Sequence, residues 1–342
     1  MNKRLIIIIS LGILILAGTG GLLFIAVKKQ NKQPVVAAPQ IKKVLDEMAI
    51  SPIASFDNSA IWYFNSDGRL FRVNLDGTGL SEFPLPVLSS GKLTRVLWPK
   101  TGSDFIAITG FGANEIKNYY NNISKIYVNL PANIKSLDWL PDSRRVAYIW
   151  QSGDNVHQQL AIANADGSGF QKIADVFWPD LIVKAGSDGK TALLYRSNLQ
   201  GDTNKIYSAN LNTGEITTVV EQGKNIAASW LPNSSRFVFA QSSIAAYPKL
   251  YVYDFTNHQA TDLSLNTTLD KVAFDPDGRY LYAVVPKKDN KADVFVKEDL
   301  TTFKQESYFE PDSNIRASNL LMIGNTLYFT NTSDQKFYTI TK

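Results

Sequence analysis

Two patterns of hydrophobic positions divide the chain. Residues 5–27 form an apolar stretch of 23 positions without a charge. As a helix rising about 1.5 Å per residue it would reach roughly 35 Å, enough to cross a hydrocarbon core of about 30 Å with some tilt. From about residue 50 the apolar positions come instead in short runs, rich in β-branched and aromatic residues and broken by Pro, Gly, Asp and Asn. Such runs predict strands joined by turns. Beyond residue 27 no long stretch carries the 3.6-residue period of a helix.

The strand-rich part repeats. A short apolar run ends in an aromatic residue, turns, and gives way to a second run. The clearest copies are Leu137-Asp138-Trp139-Leu140-Pro141-Asp142-Ser143-Arg144, Ala228-Ser229-Trp230-Leu231-Pro232-Asn233-Ser234 and Val272-Ala273-Phe274-Asp275-Pro276-Asp277-Gly278-Arg279. Weaker copies place further turns near 56, 99, 186 and 323. The seven turn positions (56, 99, 141, 186, 232, 276 and 323) lie 42 to 47 residues apart. A period of about 45 residues matches a four-stranded propeller blade. Third strands are expected at 70–74, 160–164, 206–210 and 250–254. Two of them lead into Asp76-Gly77-Thr78-Gly79 and Asp166-Gly167-Ser168-Gly169, where glycine supplies the positive φ of a hairpin turn. The expected architecture is all-β: a seven-bladed β-propeller of four-stranded antiparallel blades over residues 41–342, preceded by one N-terminal transmembrane helix and a polar tether at 28–40. Trp98, Trp139, Trp230 and Phe274 end the first strands, with inter-blade packing as their expected role and a ligand platform as the alternative.

The repeated W-L-P-D-S-R and F-D-P-D-G-R phrases, with their D-G-T-G and D-G-S-G turns, resemble the TolB-like branch of WD-repeat-like β-propellers. The resemblance covers roughly residues 50–342. It implies a propeller of the kind found in periplasmic and cell-surface proteins and in the propeller domains of prolyl-oligopeptidase-like peptidases. The chain departs from those peptidases in ending at the seventh repeat without a hydrolase domain. It departs from TolB in lacking a separate N-terminal domain, so a Tol-system role is not carried over.

The last repeat holds strands at 326–331 and 336–341 but stops one strand short. Residues 41–49 are available to complete it, which would remove an exposed sheet edge; a short helix is the rival reading of that stretch. Residues 1–27 are expected to act as an uncleaved signal anchor, because secretory signals carry shorter apolar regions of about 7–15 residues. A cleaved signal ending near Val36-Ala37-Ala38 is the alternative. Lys3 and Arg4 on one side nearly balance Lys28, Lys29 and Lys32 on the other. The absence of cysteine and the kind of domain that follows favour a single-pass membrane protein with its propeller on the extracytoplasmic side.

Charge and composition narrow the chemistry. Of the 35 Lys and Arg residues, five precede residue 40, where there is no acid, which leaves 30 against 31 acids in the rest. The basic excess flanks the apolar stretch, so nucleic acid is not an expected partner. No cysteine and two histidines, His157 and His258, leave little material for thiol, metal or histidine chemistry. There is no G-x-S-x-G elbow and no calcium-loop spacing. No catalytic residue, metal or cofactor is therefore expected. The leading function is a non-catalytic scaffold at the cell envelope that binds a protein or peptide. A carbohydrate-binding envelope protein is the first alternative, and an enzyme using acids or tyrosines of the propeller channel the second.

In a four-stranded blade, the turns joining strands one to two and three to four share one end of the disc. The two-to-three loops and the blade-to-blade connections share the other. The first end carries short repeated turns. The second carries heterogeneous loops, expected at 110–124, 150–159, 197–205, 242–248 and 286–291 and in the connection 174–181. Recognition concentrates on such loops, with aromatic anchors, so Tyr119, Tyr120, Trp150, Trp178 and Tyr247 are the ligand-binding candidates.

Overall fold

The structure, a computed structural model, describes residues 39–88, 91–153, 157–196, 204–242, 247–287 and 292–341. The expected anchor, the tether up to residue 38 and parts of the loops at 150–159, 197–205, 242–248 and 286–291 lie outside the described residues. Among the described residues no helix is long and apolar enough to cross a membrane.

The unit spanning Ile41–Thr341 is built of antiparallel sheets. Strand β1 (Gln40–Leu45) comes first among the described residues. The first sheet holds β2 (Ile50–Ala54), β3 (Ala60–Phe64), β4 (Leu70–Asn74) and β5 (Ser81–Phe83). The second holds β6 (Leu93–Leu97), β7 (Phe105–Thr109), β8 (Ile116–Asn121) and β9 (Ile126–Asn129), and the third β10 (Ile134–Trp139), β11 (Arg145–Gln151), β12 (Gln158–Asn164) and β13 (Gln171–Val176). A seven-stranded sheet follows: β14 (Leu181–Ala185), β15 (Thr191–Arg196), β16 (Asn204–Asn210), β17 (Ile216–Trp230), β18 (Arg236–Ser242), β19 (Lys249–Asp254) and β20 (Gln259–Asn266). Then come β21 (Val272–Phe274), β22 (Tyr280–Pro286), β23 (Asp293–Asp299) and β24 (Lys304–Phe309), and finally β25 (Ala317–Ile323), β26 (Thr326–Asn331) and β27 (Lys336–Thr341). Strand β1 lies beside β27 as the outer strand of that last sheet, which is thus completed by a strand that precedes the first sheet. The stretch weighed as strand or short helix is a strand over Gln40–Leu45.

Strand β17 joins two repeats without a break. Its first half pairs with β16 and its second half with β18. The backbone stays extended through Glu221, Gln222, Gly223 and Lys224.

Burial follows position in each sheet. Every residue of β7 is buried, and β18, β22 and β26 each have four or more buried residues, because neighbouring sheets cover both their faces. The outer strands β5 and β24 are mostly exposed. The first-strand tryptophans lock consecutive repeats. The indole N–H donates to a carbonyl of the preceding repeat at Trp98 (Ser51, 2.8 Å), Trp139 (Leu97, 3.0 Å) and Trp230 (Lys184, 2.9 Å). These three tryptophans therefore pack between repeats.

The ring of repeats closes on itself. Strands β2 and β25 are in contact, and the Tyr328 hydroxyl donates to the Leu75 carbonyl at 3.2 Å. The Asp76-Gly77-Thr78 turn rests on β1: Gly77 has φ +89, and a Cβ there would come within 2.5 Å of the Val44 carbonyl oxygen. Glycine is needed at that position both for its backbone angle and for the close approach.

Candidate ligand-binding site

The structure divides the five sequence candidates between the two ends of the sheets. Tyr119 and Tyr120 correct the expectation. Residues 110–124 are not one loop: a single 3-10 turn at Gly112–Asn114 leads directly into β8. Tyr120 pairs with Phe105, the first residue of β7, so both tyrosines sit at the end of the tight turns rather than at the end of the variable loops. Tyr119 is buried toward the third repeat, its ring 6.4 Å from Trp139 and its hydroxyl donating to Asp104 at 2.5 Å. Trp150 and Trp178 are half-buried at the connection end; Trp150 packs on the core of the second and third sheets, and Trp178 stacks on Tyr207 at 4.2 Å. Tyr247 is exposed on the β18–β19 connection. Tyr119 and Tyr120 thus lie at one end, and Trp150, Trp178 and Tyr247 at the other.

One of them lines a cavity. Between the first and second sheets, at the tight-turn end, lies a space of about 460 Å³. This falls within the usual range of small-ligand sites, about 300–1,000 Å³. Its walls are aromatic. Trp62 and Phe83 form an edge-to-face pair 5.6 Å apart on the side of the first sheet. Trp98, Phe105 and Tyr120 form the other side, with Phe105 and Tyr120 stacked at 4.8 Å and Trp98 and Phe105 5.2 Å apart. Phe56, on the β2–β3 turn, stands at the rim with 89% of its surface in water. A phenyl group so exposed gains nothing from the fold.

The polar groups around this space are few. Lys100 is the charged residue among the described lining residues, and its Nζ donates to Asn233 Oδ1 across the ring at 3.0 Å. Lys125 lies beside the cavity, over the Phe83 ring at 5.2 Å and bonded to Asn122 Oδ1 at 2.6 Å. Tyr120 is fully buried, yet its hydroxyl has no hydrogen-bond partner. Burial, with Asp104 adding to it, raises its pKa, so it stays protonated. At the rim the hydroxyls of Ser55 and then Ser59 hold the Asp57 carboxylate down to about 2. Among the described residues, no group of three His, Cys, Asp or Glu side chains comes together to hold a metal.

Sequence reasoning missed Phe56, Trp62 and Phe83 and treated Trp98 chiefly as packing. Trp98 does pack, through its N–H, but one wall of its neighbourhood is open. Phe56 lies on a turn, Trp62 in a second strand and Phe83 in a fourth strand, and only the pairing of the strands brings them to one cavity.

No protein-family model matches the chain, and no curated protein matches its sequence. Solved structures do. An oligogalacturonate lyase in complex with manganese is similar at a TM-score of 0.64 and 10% identity, over 90% of this chain and 94% of that one. The Cps50 (Swd1) β-propeller domain of Myceliophteria thermophila is similar at 0.62 and 10%, over 89% and 99%. TolB from Acinetobacter baumannii matches at 0.45 and 14%, over 84% and 78%, too distant to carry an argument. The fold is an all-β propeller, in keeping with the resemblance read from the repeated turns. At such identities the likeness extends to fold alone.

Proposed function

We propose that the protein is a membrane-anchored, extracytoplasmic β-propeller of seven four-stranded blades that acts as a non-catalytic scaffold binding a protein or peptide. Counting each half of β17 with its own neighbours makes seven units of four strands. The anchor is residues 5–27, with a tether from residue 28 up to the start of β1 at Gln40. The observation that carries the binding role is the aromatic-walled cavity between the first two sheets, with Phe56 held out in water beside it. Aromatic anchors that become fully desolvated on binding supply much of the binding energy in protein interfaces.

Photo-crosslinking in intact cells tests this reading. A benzophenone amino acid is placed at Phe56 and, as a control, at Val87, which is equally exposed on the connection end. A discrete protein adduct at 56 and none at 87 supports the scaffold. No adduct at 56, or a polysaccharide adduct alone, overturns it. Protease added outside the cells should remove the propeller and leave the anchor; complete protection, with any outer membrane opened, would refute the external placement.

A further inference from the structure

We propose that the cavity between the first two sheets takes an aromatic side chain from an acidic stretch of a partner peptide, with the ring stacked on Trp98 as Phe255 is stacked on Trp230. This rests on the scaffold reading and specifies its ligand.

The repeats themselves define the vacancy. Strands β4, β8, β12, β16, β19 and β23 end on Asn74, Asn121, Asn164, Asn210, Asp254 and Asp299. The side-chain oxygens of Asn121, Asn210, Asp254 and Asp299 accept N–H groups two residues on, so the turns start alike. The next residue is Leu75, Ala165, Leu211, Phe255 or Leu300, each packed inward, in five of the six cases. In the second repeat it is Asn122. Its backbone N–H also departs from the pattern. Those of Ala165, Leu211, Phe255 and Leu300 donate to a backbone carbonyl, whereas that of Asn122 donates to the Asp104 carboxylate at 2.9 Å.

The fifth repeat shows what belongs there. Trp230 pairs with Phe237, and Phe237 with Tyr253. In the second repeat Leu97 pairs with Ile106 and Phe105 with Tyr120, which puts Trp98 in the place of Trp230. The stacked pairs match: Phe237 and Tyr253 at 5.1 Å, Phe105 and Tyr120 at 4.8 Å. Phe255 then lies nearly parallel to Trp230, 5.7 Å away with 16° between planes. Above Trp98 the corresponding side chain is an amide turned to Lys125. The groove beside Trp230 is also open, at about 550 Å³, but its far wall is polar (Ser187, Asp188, Thr191 and Ser208). Beside Trp98 the far wall is Trp62 and Phe83. A ring entering there meets aromatic surface on both sides.

Charge and extent describe the rest of the ligand. Lys100, which lines the cavity, and Lys125 beside it favour an acid next to the ring, with the ionised Asp57 at the rim setting where that acid cannot lie. A free aromatic molecule would fill the cavity but leave Phe56 and Ile123, 89% and 92% exposed, in water. A peptide continuing over the rim covers them, which favours a chain-borne ring.

Calorimetric titration of the full-length protein tests the inference. The probes are a short blocked peptide with phenylalanine between glutamates, its alanine-for-phenylalanine and lysine-for-glutamate analogues, and free phenylacetate. Binding of the first at least tenfold tighter than of the other three is expected. Asn122→Phe supplies the missing ring from within. It should weaken binding at least tenfold while leaving the melting temperature unchanged or higher, and Lys100→Gln should weaken it severalfold. Equal binding of the alanine peptide, phenylacetate as tight as the peptide, or a folded Asn122→Phe variant with unchanged affinity overturns the inference. These results leave the scaffold reading standing as long as the crosslink at residue 56 persists. Should Asn122→Phe not fold, Phe56→Ser reads the same contact: severalfold weakening is expected, and unchanged affinity overturns it.

Discussion

Replacing Val44 and Leu45 together by serine should loosen the whole ring, because these residues fasten the last sheet. Strand β1 is exposed over most of its length, but Val44 and Leu45 are 7% and 6% exposed and pack among Ile61, Tyr63, Val73, Tyr328 and Phe337. Losing the burial of two such side chains costs about 1.5–3 kcal/mol each, or about 3–6 together. For a domain of roughly 300 residues, an unfolding entropy of about 2.1 cal/mol/K per residue gives about 0.6 kcal/mol/K, so the melting temperature should fall by about 5–10 °C. The matched control is Lys42→Ser with Lys43→Ser on the exposed positions of the same strand, which should change it by a degree or less. Thermal scans of the full-length proteins measure the shift. Size-exclusion chromatography measures a second consequence, self-association through the uncovered edge of β27. If the double serine variant melts with its control and stays monomeric, β1 does not close the ring.

Trp230→Phe removes the N–H that holds Lys184 in the preceding repeat while keeping most of the ring, so it should cost about 1–3 kcal/mol through a carbonyl left unpaired; an unchanged melting temperature would mean the bond is dispensable. Three turn carboxylates contribute to the response to acid. Asp57, held at about 2, and Asp76 and Asp166, lowered by the Thr78 and Ser168 hydroxyls, have folded values below their unfolded ones. Their stabilising contribution is therefore complete above about pH 4 and lost as the pH falls toward 2. A carbon-detected NMR titration should place the Asp57 midpoint near 2; a midpoint near 4 would contradict the turn geometry.

Much of the strand order was legible because each repeat carries its own punctuation. Pro141-Asp142, Asp277-Gly278 and the two Asp-Gly hairpins mark turns for local steric reasons that need no tertiary context. Strand β8 was not legible. Its first residues run Ile116, Lys117, Asn118, and Lys117 and Asn118 are buried polar side chains, Lys117 being paired with Glu115 at 3.4 Å. A lysine and an asparagine in succession read as loop, and only the sheet reveals that both are covered. Tyr119 and Tyr120 were assigned to the wrong end for that reason. The long strand β17 escaped similarly, since Glu221-Gln222-Gly223-Lys224 has the composition of a connection. One residue lining the cavity is unremarkable alone. Asn122 acquires meaning only beside Leu75, Ala165, Leu211, Phe255 and Leu300, and that comparison requires the strand register.

Fluorine NMR of protein labelled with fluorotryptophan tests the site most directly, because the six tryptophans sample both ends of the propeller. Each resonance is assigned by single Trp→Phe substitution, and the glutamate-flanked phenylalanine peptide is then added. Binding in the cavity between the first two sheets shifts Trp62 and Trp98 and leaves Trp139, Trp150, Trp178 and Trp230 in place. Shifts at Trp150 and Trp178, with Trp62 and Trp98 unmoved, would put recognition on the opposite end and contradict the account.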